Sequence, residues 1–136
     1  MDKYSNIEAI NYIYQYSRYY GNVLYECEEL YKEERGFILI ITFFNMVENI
    51  IKSVNEDYES TFAKNISKLK KKLYKEDIDF LYYIKELRNY YAHADLNSLI
   101  LDIEGIAYVL SEDTTAITLY EMLSNTTYNI LVKIIK

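Results

Sequence analysis

Apolar residues recur along most of this chain at three- and four-residue steps, the period of one face of an α-helix. Over residues 4 to about 33 the stripe passes through Ile7, Ile10, Tyr14, Leu24, Cys27 and Tyr31, and it predicts one long helix. Gly21 falls inside it as a bend or a close packing contact. Gly36 separates this helix from the next segment, where a glycine suits a C-terminal cap and a tight turn. From Phe37 to about Asn55 the chain is first apolar nearly all round (Phe37, Ile38, Leu39, Ile40, Ile41, Phe43, Phe44). It is then apolar on one side only (Val47, Ile50, Ile51, Val54). Residues 37–41 alone would suit a β-strand. The helical period that follows decides for a helix buried at its centre.

A shorter helix is expected over residues 61–74, with Ile66, Leu69 and Leu73 inward and the lysines outward. Another is expected over 77–94, on a stripe of Ile84, Leu87, Tyr91 and Ala94. Between Leu99 and Thr118 β-branched runs flank the polar stretch Ser111-Glu112-Asp113-Thr114, which predicts a small hairpin. Residues 119–136 close the chain as a last helix through Leu123, Tyr128, Leu131 and Ile135. No repeat, linker or low-complexity segment interrupts the pattern, and 136 residues suffice for one hydrophobic core. The expected fold is all-α: a single domain over residues 1–136, an antiparallel bundle of four to five helices with a small β-hairpin before the last. Zero prolines and three glycines agree with long uninterrupted helices.

Composition adds a few constraints. Seventeen tyrosines and no tryptophan suit a semi-polar core boundary or a partner surface, since the ring can be buried while the hydroxyl stays wet. One cysteine, Cys27, excludes an internal disulfide framework and fits a reducing compartment. No basic neighbour lowers its pKa, so it reads as a packing residue. The chain starts without a signal pattern. Its longest apolar run, residues 37–47, is interrupted by Thr42 and Asn45 and is short of the roughly 20 residues that span a bilayer. The expectation is a soluble, cytoplasmic protein with no membrane segment.

The net charge of −6 argues against generic nucleic-acid binding, which relies on phosphate neutralisation. The charge is unevenly placed. Residues 64–75 carry six lysines and no acid, so the rest of the chain stands at −12. Such a patch could steer a nucleic acid, dock an acidic partner, or be a solvated face.

Candidate chemistry lies in Glu86-Leu87-Arg88-Asn89-Tyr90-Tyr91-Ala92-His93, where the only histidine follows an arginine by five positions. Arg88 is a permanent cation, and His93 can gain or lose a proton near neutrality. Together they supply an anion binder and a proton shuttle, which chemistry at a phosphodiester needs. Five residues turn an ideal helix by about 140°, so the two side chains converge only under one of two conditions. Either the helix ends or distorts between them, or two copies face each other. Glu48, on the buried helix, is placed either to hold Arg88 by a charge-assisted contact or to sit exposed on the polar side. Tyr90 and Tyr91 could stack on bases. Tyr91 falls on the apolar stripe, which leaves Tyr90 as the better candidate. No Gly-rich loop and no Cys/His cluster is present, so no cofactor and no metal are expected.

The run Leu87-Arg88-Asn89-Tyr90-Tyr91-Ala92-His93 resembles the signature of the HEPN superfamily, an arginine, often followed by a polar residue, a short spacer before a histidine. The buried segment Phe43-Phe44-Asn45-Met46-Val47-Glu48 resembles the helix that packs on the motif helix in that superfamily. The late position of the motif and a hairpin before a closing helix are similar as well. The resemblance implies a metal-independent endoribonuclease that works as a homodimer, commonly a toxin or phage-defence effector. It implies Arg88 and His93 as the catalytic pair and Asn89 as the adjoining polar position. An RNA substrate would meet Tyr90 and the basic residues Lys70, Lys71 and Lys72. Many related toxins pair with a nucleotidyltransferase-type antitoxin. The rivals are a non-catalytic HEPN-like module that binds a protein or nucleotide, favoured by the acidic charge, and a small helical sensor or antitoxin-like partner with Tyr-rich interfaces.

Overall fold

A computed structural model describes residues 3–93 and 95–136, without the side chain of His93. Its elements are α1 (Asn6–Tyr16), α2 (Arg18–Lys32), α3 (Gly36–Asn55), α4 (Phe62–Ser67) and α5 (Lys75–His93). A 3-10 turn (Leu96–Ser98), strands β1 (Ile100–Ile103) and β2 (Ile106–Val109), and α6 (Asp113–Ile135) complete the chain. The described residues form six helices, where four to five were expected.

The extra helix comes from a break in the first one. Ser17 is extended (φ −152°), yet its N–H still bonds the Ile13 carbonyl and its Oγ accepts from Tyr20 N at 3.2 Å. One residue thus ends α1 and caps α2. The apolar stripe runs on through the break because both helices face the same core. Gly21 makes this fold-back feasible, since a Cβ there would lie 2.5 Å from the Tyr14 Cα.

Gly36 is not the cap of α2. The left-handed residue after that helix is Glu34 (φ 58°), and Gly36 opens α3 instead. A Cβ at position 36 would lie 2.3 Å from the Asp113 carbonyl oxygen, so this glycine allows the starts of α3 and α6 to touch.

α3 is the centre of the core. Phe43 meets Tyr120 and Tyr128 of α6 edge-on, with ring centroids 5.2 and 5.7 Å apart. Among the described residues α3 is the one helix long and apolar enough to span a bilayer by composition, and half of that stretch is buried inside the protein.

α4 stops at Ser67, short of the expected residue 74, and irregular turns follow. Lys68, Lys71 and Lys72 would stand three and four residues apart on a continued helix, and like charges at that spacing oppose it. Ile66, Leu69 and Leu73 are nevertheless buried, with Lys70, Lys71 and Lys72 exposed. α5 is continuous to His93, burying Ile78, Leu81, Ile84 and Leu87. Ala94, placed on the same stripe by the sequence, lies outside the described residues.

The hairpin precedes the last helix as expected, but its turn is elsewhere. β1 and β2 pair antiparallel from Ile100↔Val109 to Ile103↔Ile106. Glu104 and Gly105 form the loop with φ of 52° and 83°, the backbone that suits a two-residue hairpin. Residues 111 and 112 lead into α6, whose first turn takes in Asp113 and Thr114, six residues before the expected start. Tertiary anchors override the β-branched character there: the Thr115 hydroxyl donates to the Val109 carbonyl at 2.7 Å, and Phe37 N donates to Asp113 Oδ1 at 3.0 Å.

Candidate active site

The antiparallel packing of α3 and α5 sets Arg88 against Glu48. Arg88 Nη2 donates to Glu48 Oε1 at 2.5 Å, and Nη1 donates to Asn89 Oδ1 at 3.0 Å. Glu48 is buried rather than exposed on the polar side. Its other oxygen, Oε2, is paired with Lys52 Nζ at 2.9 Å. The side chains of Arg88 and Lys52 are 27% and 18% exposed, so both cations are largely withdrawn from water. Two cations share one carboxylate, which leaves one surplus positive charge. A guanidinium has five N–H donors, so those Arg88 does not spend on Glu48 and Asn89 remain for an anion.

Sequence reasoning passed over Lys52, although the signal was there. A glutamate followed by a lysine four residues later is a favourable helix pair. Here that pair faces α5 instead of solvent.

Beside Arg88 lies a small half-open recess of about 80 Å³, lined by Ile41, Phe44, Asn45, Arg88, Tyr91 and Ala92. The Tyr91 ring stands 6.0 Å from Phe44, and its hydroxyl is buried with no hydrogen-bond partner among the described residues. Burial pushes this phenol up to about 12. Phe37, Ile38 and Ile41 of α3 and Ala92 of α5 leave an exposed apolar surface around the recess.

The other candidates are distributed differently. Tyr90 does not line the recess; its hydroxyl donates to Glu86 Oε1 at 3.0 Å, a contact that holds the phenol above its ordinary pKa. Lys70, Lys71 and Lys72 stand at the opposite end of α5. The 13 residues from Lys75 to Arg88 correspond to about 20 Å of helix. Lys72 Nζ donates to the Ile134 carbonyl at 3.2 Å, and Lys70 borders a separate recess with Leu73, Asp79 and Tyr82. His93 is the last residue of α5, and its side chain lies outside the described residues. Because α5 is helical through position 93, no helix end falls between it and Arg88.

Among the described residues, no three His, Cys, Asp or Glu side chains gather to hold a metal ion. Comparison with protein-family models, with curated proteins and with solved structures gave no match.

Proposed function

We propose that this chain is an HEPN-like, metal-independent endoribonuclease, acting as a cytoplasmic homodimer in a toxin–antitoxin or phage-defence role. The observation that carries the reading is the capture of Arg88 by Glu48 and Asn89, on the same helix that ends in His93. Such clamping fixes the guanidinium in place before substrate arrives, which is what stabilisation of developing charge requires.

In the reaction, a ribose 2′-hydroxyl gives its proton to one imidazole and attacks phosphorus. The P–O5′ bond breaks, and a protonated imidazole gives its proton to the leaving oxygen. The products are a 2′,3′-cyclic phosphate and a 5′-hydroxyl, and Arg88 bonds the non-bridging oxygens as charge builds. Two imidazoles require two chains, since each chain has one histidine. The exposed apolar surface of Phe37, Ile38 and Ile41 beside the recess offers the second copy a place to dock. DNA, without the 2′-hydroxyl, is left whole. A nucleotidyltransferase-type antitoxin is the partner that the motif's resemblance suggests.

The acidic charge of −6 favours a second reading, a non-catalytic module that binds a protein or nucleotide. Expression of the wild type, Arg88→Ala and His93→Ala in bacteria separates the two. The nuclease reading expects growth arrest by the wild type alone; arrest by all three equally would support the module.

A further inference from the structure

Between α2 and α5 the outer ridge of α3 carries no exposed carboxylate from Gly36 to Asn55, the exposed acids Glu56 and Glu59 following only beyond its end. Asn45 and Asn49 are exposed on it, and Glu48 is buried between its two cations. Arg88 and Lys52 lie along one edge. On the other edge the Tyr20 hydroxyl donates to the Asn49 carbonyl at 3.4 Å, and the Tyr16 and Ser53 hydroxyls are 2.7 Å apart. Tyr58 approaches the same group: burial, with Tyr58 and Tyr16 alongside, holds the Tyr20 phenol above its ordinary pKa. The Tyr19 ring leans against Tyr20, tilted by 56° with centroids 5.6 Å apart. The rings of Tyr19 and Tyr58 are each left 63% exposed.

We propose that this ridge is the track for single-stranded RNA, with Lys52 beside Arg88 at the phosphates and the Tyr19 and Tyr58 rings stacking on bases. The proposal rests on the ribonuclease reading and names the binding surface for its substrate. Cations next to exposed aromatic rings are the chemistry that holds single strands without reading sequence. From Glu48 to Ser53 the helix rises only about 7.5 Å, so the two cations on Glu48 and the Tyr16 hydroxyl on Ser53 share one short stretch of α3. The lysine-rich turn is a poorer track. A strand running from it to Arg88 along the exposed face of α5 would cross Glu76, Asp79 and Glu86, all exposed.

The test uses the full chain carrying His93→Ala, so that RNA persists, with a fluorescent single-stranded RNA of roughly 12 nucleotides read by anisotropy. Adding Tyr19→Ala with Tyr58→Ala is expected to weaken binding about tenfold or more, while the Phe versions of both keep affinity because the ring does the stacking. Lys52→Gln is expected to weaken binding and flatten its salt dependence. Changing Lys70, Lys71 and Lys72 together to Gln is expected to shift affinity less than about threefold, since they lie off the track. Circular dichroism establishes that each variant is folded. The track is overturned if the lysine triple variant loses tenfold while the tyrosine pair loses nothing, or if no RNA binds. Failure of the nuclease reading shows separately, as wild-type protein that binds RNA through the tyrosines and leaves it uncut.

Discussion

Glu48 stands between two cations, accepting from Arg88 Nη2 at 2.5 Å and paired with Lys52 Nζ at 2.9 Å. The residue that ties α5 to α3 therefore also sets the charge of the candidate site. Substitution Glu48→Gln removes the counter-charge and leaves two largely buried cations facing each other. We expect a loss of about 1–3 kcal/mol in urea unfolding, the usual cost of orphaning such groups. An unchanged midpoint would mean that Arg88 finds its anchor elsewhere.

Gly21 lies so close to Tyr14 that an added Cβ meets both its Cα and Cβ at 2.5 Å. The obstacle is backbone, which cannot swing aside as a side-chain tip can. Gly21→Ala should cost about 1–3 kcal/mol through overpacking, despite the better helix propensity of alanine. Thermal melting checks this; a variant as stable as the wild type would mean that α1 and α2 are further apart.

Alkaline pH should unfold the protein through its buried phenols. The Tyr120 hydroxyl donates to Glu28 Oε2 at 2.5 Å and lies 2.7 Å from the Tyr128 hydroxyl. Burial pushes both phenols above their ordinary pKa, and Tyr91 to about 12. An unfolded tyrosine ionises near 10, so the unfolded chain releases these protons first. Stability is therefore full below about pH 10 and falls as pH rises through the folded values. Phenolate absorbance should show a fraction of the tyrosines ionising together with loss of helix. Smooth titration of all seventeen before any unfolding would contradict the burial.

The parts of the fold legible in the sequence are those set by local period. α3 and α5 follow their apolar stripes to within two residues at each end, and an acid on a buried helix calls for a counter-charge, which Arg88 supplies to Glu48. The break at Ser17 was hidden because a single residue serves as both caps, and a stripe of apolar residues carries no record of a fold-back. The early start of α6 is anchored by the bond that Phe37 N donates to Asp113 Oδ1 from 76 residues away, which no local window contains. The hairpin turn was missed because its first position is a glutamate, where asparagine or aspartate before glycine is the stronger signal. At the site, Lys52 was readable as the partner of Glu48, but the side of α3 it faces depends on where α5 packs.

The most direct measurement is cleavage of a defined RNA by the purified full-length protein in the presence of a metal chelator, beside Arg88→Ala and His93→Ala. The account predicts fragments ending in a 2′,3′-cyclic phosphate from the wild type alone, with a 2′-deoxy substitution at the cleaved position blocking the cut. Intact RNA with the wild type, or equal cutting by His93→Ala, would contradict it.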